Sequence, residues 1–401
     1  MSAVQDGVVV GAGIVGLATA LALLRARPGM RLAVLDKESQ AGAHQSGHNS
    51  GVIHSGIYYR PGSFKAKFCV EGARRMVAFC QEHGITHRID GKVVVAIRTD
   101  ELPALEELYR RAVANGVPNV RRIDAAELHE LEPLADGVAA LHVPGTGTVN
   151  YRDVLAVMVR LVREAGGEIL LNRQALGAVT TQGVVHLETT GGTLSSRMVI
   201  NCAGLYADQV ARALGAEPGV RIVPFRGEYY TLHPRKAASV RGAIYPVPDP
   251  RFPFLGVHFT KGVDGRVEAG PNAVLAFARE GYTRWRVRPE EFMDTLAYRG
   301  FWAMVRRYWR TGLGEFSRSL SKRAFVNALH PLMPALDETD LLEGGAGVRA
   351  QAVAPNGVLL QDFHVVRTRN MVHVLNAPSP AATASLMIGA HIADMVGDGS
   401  N

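Results

Sequence analysis

Three consecutive valines, Val8 to Val10, form a wholly apolar run between Asp6 and the turn Gly11-Ala12-Gly13. A run this short and β-branched predicts a strand buried on both faces, the kind found inside a parallel sheet. Residues 14–27 follow as a helix stopped by Pro28-Gly29, and 32–35 as a second buried strand. Over 61–83 apolar positions recur at helical spacing (Phe64, Phe68, Gly72, Met76, Phe79, Cys80) and end at Gly84. The pattern then predicts a strand at 93–97, two acidic helices near 101–114 and 125–131, and a helix over 151–165. That last helix carries Val154, Leu155, Met158, Leu161 and Val162 on one face. Strand-like runs follow at 169–171, 184–188 and 198–202. Beyond Val223 the runs at 229–232, 257–260 and 267–269 are broken by Gly and Pro, which predicts an antiparallel sheet with turns. After Leu336 short strands and a last helix over 381–396 return to the opening pattern, so a β-rich middle is flanked by ends that alternate strand and helix.

The 401 residues are 47% apolar and 20% charged, an ordinary balance for a folded chain of two domains. Three well-separated cysteines (Cys69, Cys80, Cys202) exclude a disulfide framework and a cysteine-based metal cluster, and no metal site is expected. Residues 8–24 are apolar enough to imitate a signal-peptide core. Asp6 is the only charge ahead of them, however, and three glycines interrupt the run, so no export signal and no transmembrane span are expected. The expected location is cytoplasmic.

Gly11-x-Gly13-x-x-Gly16 sits between a predicted strand and a predicted helix, and Asp36 ends the next strand. Gly11 permits the tight turn, Gly13 lets backbone approach a pyrophosphate, and Gly16 lets the helix pack on the sheet. The helix N-terminus, at Ile14 and Val15, faces the phosphates with partial positive charge. Asp36, followed by Lys37, is placed to hold the adenosine ribose. The motif alone does not separate FAD from NAD. The loop that follows does: Gln45, Ser46, His48, Asn49, Ser50, Gly51 and Val52 are small, hydroxyl or amide residues among spaced apolar ones. Such a loop can lie against an isoalloxazine ring, where a nicotinamide enzyme would run into another βα unit.

GAGIVGLATALAL and HQSGHNSGVIHSGIYYRPGSFKAKFCVEG resemble the L-2-hydroxyglutarate dehydrogenase/oxidase family, within the flavoproteins related to D-amino-acid and glycine oxidases. So do VINCAGLYADQVA, PFRGEYY, YPVPDPRFPFLGVHFT, GVRAQ and NAPSPAATASLMIG, so the resemblance spans nearly the whole chain. It implies an α/β fold: a Rossmann-like FAD-binding domain from 1–90, 145–218 and 335–401, and an α+β substrate domain with an antiparallel sheet from 91–144 and 219–334. It further implies that Ala203 and Gly204 pass near the adenosine half of FAD. Ser379, Pro380, Ala381, Ala382 and Thr383, at the start of the last helix, would face the flavin edge where negative charge grows on reduction.

Oxidation of a 2-hydroxy acid needs a hydride acceptor and a base for the hydroxyl proton. A neutral histidine suits the second role. His258, on a predicted strand, and His54 are the two candidates. A dicarboxylate substrate also needs cationic partners, for which Arg226 and Arg349 are expected to serve through bidentate contacts. Tyr59, Tyr230 and Tyr245 would add hydroxyl donors. The runner-up readings are an amino-acid or sarcosine-type oxidase on the same fold, and a flavin-binding subunit without catalysis.

Of the net charge of +7, most is concentrated in 279–323, where eleven basic residues face five acidic ones and all three tryptophans fall. On a helix, Tyr298, Phe301, Trp302, Val305, Tyr308 and Trp309 make one stripe with Arg306, Arg307 and Arg310 beside it. That pattern fits peripheral contact with the inner face of an anionic membrane, with a membrane quinone as electron acceptor, or equally a surface helix packed on its own domain. No nucleic-acid motif accompanies the charge.

Overall fold

The computed structural model describes residues 4–249 and 255–397, so the middle of the 245–260 string lies outside it. One sheet has six strands in the order His364–Arg367, Met371–Asn376, Val199–Asn201, Gly7–Val10, Leu32–Leu35, Glu168–Leu170. Every neighbouring pair is parallel except the edge pair formed by His364–Arg367. Gly7–Val10 lies at the centre, with Val9 opposite Ile200 on one side and Val34 on the other. Both faces of that strand are covered, which is why it carries no polar side chain. On one face pack the helices Ile14–Ala26, Phe64–Glu82, Tyr151–Glu164 and Ser385–Gly397, through Leu17, Met76, Val154 and Ile388. The first and last of these approach so closely that a Cβ on Gly389 would sit 2.5 Å from the Ala18 backbone. The other face is covered by the antiparallel strands Ala175–Thr181, Val184–Thr189 and Leu194–Ser196, whose Val185 and Leu187 meet Val8, Val10 and Leu35.

The second large sheet has nine strands. Eight run in the order Val274–Leu275, Arg221–Leu232, Val267–Gly270, His258–Lys261, Ala243–Pro246, Lys92–Ala96, Ala139–Val143, Arg121–Asp124, and Leu341–Val353 also pairs with Arg221–Leu232. It is antiparallel apart from the pair Ala243–Pro246 and Lys92–Ala96. Leu341–Val353, expected within the FAD-binding domain as part of 335–401, pairs in this second sheet and not in the one beside the glycine motif. Its first half is largely exposed, so it lacks the two buried faces that a central parallel strand needs, and it pairs antiparallel from Leu341 to Val353 instead.

Two further expectations change. The last helix begins at Ser385 rather than 381, because 378–384 close successive turns, with Ala381 N–H donating to the Pro378 carbonyl and Ala384 N–H to Pro380. The aromatic stripe beyond 298 divides in two. In the helix Arg299–Leu320, Phe301 and Met304 join Tyr298 against Val223 and Val353, while Trp302 and Trp309 are each 52% exposed. A one-residue step is about 100° on a helix, so Trp302 and Trp309 leave the face that Phe301 and Tyr308 share. Among the described residues no helix is long and apolar enough to cross a membrane.

Candidate active site

A continuous cavity of about 840 Å³ runs between the two large sheets, from the glycine-rich turn to His54 and His258. Its size falls within the range of cofactor sites. At one end Gly13, Ile14 and Val15 line it at the start of the helix Ile14–Ala26. Gly11 holds φ +109°, and a Cβ there would lie 2.5 Å from the Cys202 carbonyl oxygen. Gly16 is off the cavity wall; a Cβ on it would sit 1.9 Å from the Gly11 oxygen, so its part is helix-to-turn packing. The Asp36 carboxylate accepts hydrogen bonds from the Ala12 and Glu38 amides at 2.8 and 2.9 Å, fixing the turn to the end of the second strand. Burial pushes its pKa up, against the pull of those two amides. Ser46 Oγ caps the helix by accepting from Ile14 N at 2.9 Å.

The loop after the second strand lies along the cavity. Gln45, Ser46, His48, Asn49, Ser50 and Val52 all line it, and so do Ala203 and Gly204. Gly51 does not; at φ +69° it turns the chain into the short strand Val52–Ile53, where a Cβ would meet the Val149 carbonyl oxygen at 2.7 Å. Lys37 also lines the cavity, and its ammonium bonds both Glu38 and Glu280. Burial works against its charge, yet the two carboxylates raise its pKa overall. Glu280 further accepts from Tyr206 at 3.1 Å and Arg286 at 3.0 Å. Tyr282 stacks on His48 at 4.3 Å, so the 280–282 segment closes over the 37–48 loop. Glu38, His44 and Glu280 would be close enough to ligate one ion, but the Lys37 ammonium stands among them.

At the other end Ser379, Pro380, Ala381, Ala382 and Thr383 line the cavity. Thr383 Oγ1 accepts from His54 N at 3.0 Å and bonds Tyr151 OH at 3.2 Å and the Val52 carbonyl. It thereby ties the loop to the last helix. His54 Nε2 contacts Ser379 Oγ at 3.3 Å, and burial, with Lys92 nearby, lowers its pKa to about 3. His258 faces the same space from its strand. Its Nδ1 donates to the Gly256 carbonyl at 2.8 Å, which fixes the tautomer and leaves Nε2 with a lone pair. Burial lowers its pKa to about 4; the Gly256 carbonyl opposes the shift, and Lys92 and Arg349 add to it. The Tyr245 ring stacks on His258 with centroids 3.8 Å apart.

The residues expected to hold substrate separate by strand face. Phe225, Gly227 and Tyr229 of Arg221–Leu232 line the cavity, and Arg349, opposite Phe225, lines it too. Arg226 and Tyr230 belong to the other face, so both expectations are corrected. Arg226 is buried against Glu228 (3.1 Å) and the Thr283 carbonyl (3.2 Å), while Tyr230 packs edge-on against Phe325. The period of two in a strand requires this: a chain presenting Gly227 to the cavity turns 226 and 228 away. The Glu two positions after Arg226 was the sequence signal that the arginine had an internal partner. Tyr229, missed by one position, is the tyrosine of this strand that lines the cavity. Tyr245 lines the cavity, whereas Tyr59 contacts Ser379 without lining it.

The glycine cradle, the helix N-terminus and the run of hydroxyl and amide groups fit a flavin dinucleotide, and comparison with known proteins agrees. The model of the family FAD dependent oxidoreductase matches residues 6–395. The L-2-hydroxyglutarate dehydrogenase of Indibacter alkaliphilus is 48% identical over 388 residues, covering 96% of this chain and 97% of that one. The Escherichia coli K12 enzyme of that name is 44% identical (98% and 93% covered), and the human mitochondrial one 42% identical (98% and 88% covered). Among solved structures, FAD-bound L-alpha-glycerophosphate oxidase from Mycoplasma pneumoniae superposes with a TM-score of 0.79 at 20% identity, covering 98% of this chain and 94% of that one. Glycine oxidase from Geobacillus kaustophilus gives 0.71 at 18% identity, covering 99% and 95%. Those two likenesses show the fold alone; the family match and the near full-length identities show that the chain belongs to the FAD-dependent oxidoreductases, beside the L-2-hydroxyglutarate dehydrogenases.

Proposed function

We propose that this FAD-dependent oxidoreductase converts L-2-hydroxyglutarate to 2-oxoglutarate, with His258 as the base. The observation that carries the reading is the 42–48% identity to L-2-hydroxyglutarate dehydrogenases over nearly the whole chain. Bound FAD supplies the acceptor for the C2 hydride. Arg349 pairs with the C1 carboxylate, a charge-assisted contact that fixes the C2 carbon beside the histidines. His258 Nε2 takes the hydroxyl proton while its Nδ1–H stays bonded to the Gly256 carbonyl, so the ring keeps its orientation as it becomes charged. His54, held by Thr383 and Ser379, shapes the opposite wall. Anaerobic addition of substrate tests this. L-2-hydroxyglutarate bleaches the yellow protein and its D enantiomer does not; bleaching by glycine or sarcosine in its place overturns the assignment.

Electrons then pass to a quinone in the membrane, with the protein docked peripherally on its inner face. Supporting this, Trp302, Trp309, Leu313, Phe316 and Leu320 are exposed on the helix Arg299–Leu320. At 3.6 residues per turn they share one arc of roughly 60°, and Arg306 and Arg310 lie along one side of it. An apolar stripe with basic residues beside it suits the boundary of an anionic bilayer.

A further inference from the structure

A dicarboxylate brings two charges into the cavity. With Arg226 turned to the other face of its strand, Arg349 answers one of them. The second cation is found behind the wall formed by Tyr245. Lys92 opens the strand Lys92–Ala96 in the interior of the nine-stranded sheet and is 2% exposed. Its ammonium makes no hydrogen bond or ion pair among the described residues. It rests on two aromatic faces, 4.6 Å from the centre of the Tyr58 ring and 4.9 Å from that of Tyr245. Tyr245 carries His258 stacked at 3.8 Å, and Tyr58 keeps a buried hydroxyl without a hydrogen-bond partner among the described residues. An ammonium taken out of water without a carboxylate is costly, and two ring faces recover only part of that cost. An anion arriving in the cavity beside it would recover more.

Resting on the functional reading above, we propose that Lys92 is the specificity-determining cation for the second carboxylate, acting as a charge through the Tyr245 wall without touching the ligand. The groups around it are consistent with that role. Tyr58, Tyr245 and Cys69 are held neutral by burial, and His54 and His258 are neutral near pH 7. No carboxylate is among them in the described residues, and a bound ligand brings negative charge close to the ammonium. Burial lowers the Lys92 pKa to about 7, and a dianion in the cavity draws it back up. Selectivity for dianions therefore fades as pH rises through the range where Lys92 loses its proton. Lys65, lowered by burial to about 8 with Arg349 adding to the shift, titrates in the same range and stays in place in every variant used below.

The test reads binding alone, on the FAD-loaded protein, by perturbation of the flavin spectrum. Glutarate is the dianionic probe, and pentanoate is the monoanion of the same chain length. Lys92→Met weakens glutarate roughly 10- to 100-fold and leaves pentanoate within about threefold, whereas Lys92→Arg keeps the glutarate preference. Between pH 6 and 9 the wild-type preference for glutarate falls, and that of Lys92→Arg falls less, by the part that Lys65 alone contributes. A parallel loss of both ligands in Lys92→Met, an unchanged glutarate affinity, or a wild-type protein that binds both probes alike would overturn the proposal. Failure of the functional reading has a different signature: glutarate binds selectively, yet L-2-hydroxyglutarate leaves the flavin oxidised.

Discussion

If His258 receives the hydroxyl proton, His258→Asn removes the acceptor while keeping a polar side chain that can still bond the Gly256 carbonyl. General-base removal costs on the order of 10²- to 10⁴-fold in rate, about 3–5 kcal/mol in the barrier. With a pKa near 4, about one ring in a thousand is protonated at pH 7, so wild-type flavin reduction should be flat across neutral pH. The rate should fall tenfold per pH unit once protonation removes the lone pair. A bound dianion favours the charged ring, so in the complex that limb lies above pH 4. The assay is anaerobic stopped-flow bleaching of the flavin at saturating substrate, with flavin content checked in each variant. In His258→Asn the rate drops by the stated factor and the acid limb disappears. A reduction rate within threefold of wild type, or an unchanged acid limb, would refute the role given to His258.

Arg349→Lys loses a bidentate contact and lowers kcat/KM roughly 10- to 1,000-fold; an unchanged value removes it from the substrate site. Arg226→Met, on the face away from the cavity, leaves KM within about threefold but destabilises by about 1–3 kcal/mol because Glu228 loses a buried partner. A raised KM with normal thermal stability would contradict that placement. Arg279 and Asp208, 2% and 0% exposed and bonded at 2.6 and 3.1 Å, join the 279 segment to the helix Ala207–Ala213. Arg279→Met removes the nearer of two cations from that carboxylate, leaving the Ile222 amide and Arg212 at 3.7 Å, and costs about 1–3 kcal/mol, visible as a lowered melting temperature; an unshifted melt would refute it. Wild-type protein co-sediments with anionic vesicles at low salt and is released in high salt, and Arg306→Glu with Arg310→Glu weakens this while turnover with a soluble dye persists. Wild-type protein left in the supernatant would make the stripe unrelated to lipid.

The dinucleotide end was legible because its chemistry is local. Gly11 and Gly13 sit in the turn after the first strand and Asp36 follows the second, all within one βαβ unit, and each residue's task follows from its neighbours. The substrate end draws on strands from 221 to 349, and there alternation decides which side chain points inward. PFRGEYY carries two possible phases. Arginine and tyrosine pointed to 226 and 230, while the structure presents Phe225, Gly227 and Tyr229 to the cavity. The pairing of Leu341–Val353 with Arg221–Leu232 was not legible, because strand pairing between distant segments leaves no local trace. Lys92 went unremarked for a related reason: a lysine heading an apolar run reads as a strand's solvated end, and only the tertiary packing buries it.

The central claim is the redox conversion itself, and a single anaerobic turnover measures it most directly. Protein carrying oxidised FAD is mixed with L-2-hydroxyglutarate, and both the reduced flavin and the keto acid are quantified. One 2-oxoglutarate formed for each FAD reduced is the predicted result. Flavin that stays oxidised, or is reduced without 2-oxoglutarate appearing, would contradict the account.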